Sequence, residues 1–189
     1  MARSRNPAFR AGLLAAATRV IGGQGLGAST ASIAKEAGVS TGTLFVYFDS
    51  KAVLINELYG ELKTEMARVA TDGMPDDGGP RRQLRHMWDQ WIAWSAAHPE
   101  KRRALAHLSV AEDLSDASRI VAHRAYAEIA ALVKAIAEAG PMRDAPLALV
   151  LALMSSITDA AIDDLLLAPD PAGARSTFAF DAMWRALAG

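Results

Sequence analysis

The chain has 189 residues, 51% of them hydrophobic and 22% charged, so it buries a substantial core and is globular rather than disordered. It contains no cysteine, which excludes a disulfide framework, thiolate zinc sites and a cysteine nucleophile. The net charge of −1 hides an asymmetry: residues 1–51 carry Arg3, Arg5, Arg10, Arg19, Lys35 and Lys51 against Glu36 and Asp49, and residues 52–189 carry 14 basic and 19 acidic residues. A basic head on an acidic body is the charge layout that phosphate contacts at one end require.

Every periodic segment reads as helix, and no alternating run is long enough for a strand pair. Helix 1 is expected from about Pro7 to Gly22, with proline in its first turn and Leu13, Ala17, Val20 and Ile21 inward. Gly22, Gly23, Gly25 and Gly27 then end it. This glycine run superficially suggests a dinucleotide loop, but such a loop follows a strand and here a helix precedes it, so we read a connector.

Helix 2 is expected over Ala31–Ala37 with Thr30 as its cap, and helix 3 over Thr41–Phe48 with Ser40 as its cap. Gly38 supplies the left-handed turn between them, Ala34 is small where the two approach, and Ile33, Val39, Leu44 and Phe48 close a small core. The solvent side of helix 3 then holds Thr41, Gly42, Phe45 and the Tyr47 hydroxyl. A steep pair of short helices whose second begins with small hydroxylated residues can lay that helix in a DNA major groove.

Helix 4 follows Asp49 and Ser50 and runs to about Ala70, with Leu54, Leu58, Leu62, Met66 and Val69 along one ridge. The stretch Thr71–Pro80 is dense in Gly, Pro and Asp and reads as a loop. Five body helices are expected at about Arg82–Ala97, Glu100–Ser109, Asp116–Ala139, Ala145–Leu167 and Pro171–Leu187, the last three separated at Gly140–Pro141 and Pro169–Pro171. Val121, Ala125, Ile129, Leu132 and Ile136 form the inward stripe of the third.

Met1–Asn6 is basic but is not followed by a signal-peptide pattern, and the apolar run within Pro146–Leu167 is broken by Asp159, Asp163 and Asp164 before it could span a bilayer. The expectation is a cytoplasmic protein with no membrane partner.

The string Ala37–Lys51, A-G-V-S-T-G-T-L-F-V-Y-F-D-S-K, resembles the signature of the tetracycline-repressor (TetR) family of bacterial regulators, and with helices 1 and 4 the resemblance covers about residues 7–70. It implies an all-α protein with an N-terminal three-helix helix-turn-helix DNA-binding domain over residues 1–52, helix 4 as connector to about 70, and a helical ligand-binding and dimerisation domain over 53–189. It implies phosphate contacts from Thr30, Thr43, Tyr47 and Lys51, and positions at or near base edges for Ser40, Thr41, Gly42 and Phe45. The family usually has Tyr where this chain has Phe45, whose ring lacks the phosphate-binding hydroxyl but packs on a thymine methyl. Thr41 is too short for a bidentate base contact, so base reading is expected to be sparse and shape-dependent.

Trp88, Trp91 and Trp94 recur on one helix near Met87 and His98, either as core or as the aromatic wall of a ligand pocket. With the pocket reading go Tyr126, Met154 and Thr158. His98, His107 and His123 with Glu112 and Asp113 lack the i, i+4 spacing of a helical metal site, and no nucleophile–base pair accompanies the carboxylates of Asp159, Asp163 and Asp164. No metal, no cofactor and no enzymatic activity are expected.

Residues 145–167 and 171–187 are apolar around much of their circumference, more than one body covers, and are expected to pair with their copies in a homodimer. The resulting expectation is a transcriptional regulator on a pseudo-palindromic operator, a repressor released by an unidentified small-molecule effector. The alternatives are an activator with the same head, or a ligand-binding protein or enzyme whose active part is the body.

Overall fold

The structure, a computed structural model, describes residues 6–168 and 173–189. Among the described residues it is helical throughout, with ten α-helices, one 3-10 turn and no strand. Arg3, Arg5 and the expected break at Pro169–Pro171 lie outside the described residues. The chain forms two compact units: residues up to Glu65 with His98–Arg124, and Met66–Ala97 with Ala125–Gly189.

In the first unit, α1 (Pro7–Gln24) is the central element and packs on α2 (Thr30–Glu36) and α6 (Pro99–Ser109). Asn6 caps it, its Oδ1 accepting from the Ala8 N–H at 3.0 Å, and Pro7 occupies the first turn, where its missing N–H costs nothing. Leu13, Leu14, Ala16, Ala17 and Ile21 are all buried. The helix outruns its expected end at Gly22: Gly23 and Gln24 are helical too, and the chain turns only at Gly25, whose φ of 69° lies in the left-handed region. A 3-10 turn, Gly25–Gly27, leads to α2.

Gly22 also permits a close approach. A Cβ there would stand 2.7 Å from the Glu100 carbonyl oxygen, so only glycine lets the end of α1 meet the start of α6. Asn56 on α4 (Lys51–Thr71) ties down the segment leading to α7 (Asp116–Ala125): its Nδ2 donates to the Asp113 carbonyl and its Oδ1 accepts from the Ser115 N–H, both at 2.8 Å. Of the α4 ridge, Leu54, Leu58 and Leu62 are buried, but further along Ala67 and Ala70 are buried while Met66 and Val69 are only partly covered.

The second unit packs α5 (Gly79–Ala97), α8 (Ala127–Glu138), α9 (Leu147–Leu167) and α10 (Ala174–Ala188) around Leu84, Met87, Trp88, Trp91, Val133 and Phe180. The helix expected over Asp116–Ala139 is two, broken at Tyr126, where the backbone leaves helical geometry (φ −96°, ψ 7°). The stripe read across one continuous helix therefore loses its phase. Ile129 and Ile136 are buried as expected, but Val121 is 47% exposed and Ala122 takes the inward position on α7.

Candidate nucleic-acid interface

Two short helices and a glycine turn build the site. The Ala37 N–H closes α2 on the Ile33 carbonyl, Gly38 adopts φ 69°, and the Val39 N–H donates to the Ala34 carbonyl at 2.9 Å. That C-terminal cap points the chain away from α2, and α3 (Thr41–Tyr47) starts three residues later. Ile33, Ala34, Leu44 and Phe48 are each no more than 1% exposed and hold the pair together. The expected cap of α2 moves by one residue. Ser29, extended at φ −82° and ψ 152°, accepts from the Ser32 N–H, and Thr30 is already the first helical residue, half-buried.

The hydroxyls at the start of α3 are not all available. Ser40 Oγ accepts from the Thr43 N–H at 3.1 Å and shares a second hydrogen bond with Thr43 Oγ1 at 2.9 Å. Ser40 caps the helix, and its hydroxyl and that of Thr43 are tied to each other. Thr41 is half-buried; Gly42 is exposed, and a Cβ added there would meet only Ser40 Oγ, at 3.7 Å. Phe45 is 41% exposed, and Val46, which the sequence reading passed over, is 59% exposed. Val46 stands four residues after Gly42, on the same helical face, and that spacing is the signal that could have found it.

Tyr47 is half-buried, with its ring centroid 5.1 Å from that of Phe9 on α1. Lys51 opens α4, and its Nζ donates to the Leu26 carbonyl of the 3-10 turn at 2.6 Å. One of its three N–H groups is thereby spent on fixing the turn before α2. The positive charge of the head is also partly neutralised. Arg10 pairs with Glu57 while lying 5.2 Å over the Phe48 ring, and Arg19 pairs with Glu36 at 2.6 Å. Lys35 is exposed on α2.

Of the residues expected around an effector, Trp88, Trp91 and Met154 share one buried cluster, with Tyr126 packed against it. Trp88 is core: its indole N–H donates to Ser176 Oγ at 3.0 Å and its ring meets Phe180 edge-on at 5.9 Å. Trp94 is buried, Tyr126 stands at the α7–α8 break, and Thr158 spends its hydroxyl on the Met154 carbonyl at 2.8 Å. His98 belongs to the first unit, the tryptophans to the second. Trp91 is different. Its indole N–H and the Ser95 hydroxyl, one turn further along α5, are both buried without a hydrogen-bond partner. The clefts within the units include one of about 660 Å³ lined by Arg10, Asn56, Glu57, Gly60, Thr64 and Val121, and one of about 220 Å³ lined by Met74, Gln83, Met87, Glu128, Ile129 and Leu132. Neither is lined by a tryptophan. Among the described residues no group of three His, Asp or Glu is placed to hold a metal ion, and no helix is long and apolar enough to cross a membrane.

Residues 13–58, spanning most of α1 through the first two turns of α4, match the family model described as bacterial regulatory proteins of the tetR family. The head of the chain is that of a TetR-family regulator. A TetR-family transcription regulator from Shewanella sp. PV-4 superposes with a TM-score of 0.85 at 26% identity, over 98% of this chain and 100% of that one. One from Marinobacter aquaeolei VT8 gives 0.83 at 21% identity over 95% of each chain, and a TetR-like transcriptional regulator from Rhodococcus sp. RHA1 gives 0.72 at 19% identity over 99% and 100%. The last two likenesses are of fold. With the family goes DNA-binding regulation of transcription by the helix-turn-helix of α2 and α3.

Proposed function

We propose that this protein is a homodimeric, cytoplasmic TetR-family repressor that leaves its operator when a small molecule occupies the second unit. The observation that carries the DNA half is α3: a short helix fixed by the Gly38 turn and by the Ser40 cap, with one face left open to solvent. On this reading Thr30, Thr43, Tyr47 and Lys51 hold phosphates, while Thr41, Gly42 and Phe45, with Ser40 beside them, meet base edges. Two such heads related by a two-fold axis address successive major grooves about 34–36 Å apart on a pseudo-palindromic operator.

Support for the dimer lies in the second unit, where Leu149, Leu153, Leu166 and Leu167 of α9 and Phe178 of α10 are between 42% and 87% exposed. Large apolar side chains left open on two long helices favour burial against a second copy. Support for an effector lies in Trp91 and Ser95. Two adjacent buried donors without acceptors cost about 1–3 kcal/mol each, and a molecule offering an acceptor among apolar groups relieves both. Such a molecule releases DNA by binding better to the conformation that binds DNA worse.

Selection of bound duplexes from a random pool tests the DNA half; enrichment of an inverted repeat is expected, and a pool that stays random overturns it. Transcription from a template bearing that repeat should fall when the protein is added, and a rise would make it an activator. Thermal-shift screening of a metabolite panel tests the effector half. A stabilising compound should act on the wild type and not on Trp91→Phe with Ser95→Ala, and an equal shift on both places the effector elsewhere.

A further inference from the structure

We infer that α3 reads thymine methyl groups, through Phe45 and Val46, and that this apolar contact is the main direct base readout of the protein. The inference rests on the DNA-binding reading above and names what that surface recognises.

The argument begins with what α3 lacks. The helix reads T-G-T-L-F-V-Y and contains no Arg, Lys, Asn, Gln, Asp or Glu. Those are the side chains that form bidentate or charged hydrogen bonds to guanine, adenine and cytosine edges. The hydroxyls that remain are few. Thr43 is bonded to Ser40 and Ser40 to Thr43, Leu44 is buried, and Gly42 offers no side chain. Thr41 and Tyr47 keep one hydroxyl each, and a single hydroxyl, which both donates and accepts, distinguishes bases poorly.

What α3 does present is apolar. Val46 is 59% exposed and Phe45 41% exposed, although both are large hydrophobic side chains beside a well-closed core that takes Leu44 and Phe48 to 1%. Residues 42, 45 and 46 share one helical face, and glycine at 42 leaves that face low enough for DNA to come close. In the major groove of unmodified B-DNA, the one apolar group among the base edges is the C5-methyl of thymine. An apolar face with no competing polar reader therefore selects positions of thymine, whichever strand carries them.

The test uses the duplex that the full-length protein selects from a random pool. Versions of it carry deoxyuridine in place of thymine at one half-site position at a time, which removes the methyl and keeps the pairing. Burying a methyl group is worth about 0.8 kcal/mol, so each contacted thymine should weaken binding about fourfold when it becomes deoxyuridine. Val46→Ala and Phe45→Ala should each erase that ratio at the thymines they touch, with the melting temperature of Val46→Ala little changed because that side chain is mostly exposed. Equal affinity for thymine and deoxyuridine duplexes overturns this inference and leaves the DNA-binding reading standing. So does a thymine preference that survives intact in both alanine variants. A protein that binds no duplex DNA even at low salt overturns both.

Discussion

Gly22 and Gly23 are neighbours in one helix, and replacing each by alanine should move stability in opposite directions. Alanine favours a helix interior by about 1 kcal/mol over glycine. At Gly23, which is exposed and has nothing within 4 Å of an added Cβ, that gain is uncontested. At Gly22 the new Cβ stands 2.7 Å from the Glu100 carbonyl oxygen, and reaching the 3.4 Å of ordinary contact needs a retreat of about 0.7 Å. The obstructing atom is backbone, so no rotamer change relieves it. Nor does α6 yield easily, because its Ala104, Leu105 and Leu108 are buried. Overpacking of this kind costs about 1–3 kcal/mol, which outweighs the helical gain. Gly22→Ala should therefore lose up to about 2 kcal/mol net and Gly23→Ala should gain up to about 1 kcal/mol. In a chain of this size each kcal/mol is worth about 2–4 °C of melting temperature, measured at one protein concentration because the protein is proposed to dimerise. A Gly22→Ala variant that melts at or above the Gly23→Ala variant refutes the packing argument.

Lys51→Ala should lower the salt slope of DNA binding by about one unit per bound head and also loosen the turn that Leu26 anchors, detectable as faster amide exchange over Gly25–Gly27; an unchanged slope removes Lys51 from the phosphate contacts. Gly42→Glu should abolish operator retention while the melting temperature holds, since the site is open, and normal retention would displace α3 as the reading helix. Leu149→Arg with Leu153→Arg, one turn apart on the exposed side of α9, should yield a folded monomer in sedimentation, and a persisting dimer would move the interface elsewhere. Tyr59 is buried on α4, and desolvation, opposed by the charge of Arg119, holds its phenol above the ordinary value of about 10. The folded state then keeps its proton where the unfolded chain loses it, so the contribution is full below pH 10 and lost as pH rises beyond; Tyr59→Phe should flatten that alkaline decline.

The head was legible because its signals are local. A hydroxyl before a helix, a glycine after one and a small apolar cluster lie within 20 residues of each other, and each follows from backbone geometry. Even so, the cap expected at Thr30 falls one residue earlier, on Ser29, whose extended backbone leaves no mark in the sequence. The glycine run was legible as a terminator of α1 but not as a packing site, because the atom that requires Gly22 belongs to Glu100, far along the chain. The break at Tyr126 carries no glycine or proline and left no local mark, so the periodicity was carried through it and Val121 was placed inside. Val46 was passed over for a different reason. Attention to hydroxyls and charge as DNA contacts treats an exposed valine as filler, whereas on α3 it is the most exposed of the large side chains.

The body resists reading from sequence because the same residue types serve opposite ends. Thr18, Thr64, Ser109, Ser156 and Thr158 each return their hydroxyl to the carbonyl four residues back, which at the buried Thr18 and Thr158 satisfies the polar group at little cost. Ser95 is a buried serine in a helix like these, yet its hydroxyl makes no such bond. The three tryptophans divide the same way: Trp88 finds Ser176, while Trp91, four residues before Ser95, finds no acceptor. Nothing in the spacing W-D-Q-W-I-A-W-S distinguishes a paired indole from an unpaired one. The difference arises from what α10 brings to α5, where a serine meets the Trp88 indole. Two unmet donors on one turn are hard to retain in a core for packing reasons, since alanine and phenylalanine would fill the same space without the penalty. Their presence on α5 therefore favours a role in binding over one in stability, and it puts the effector test on Trp91 and Ser95 rather than on the aromatic row as a whole.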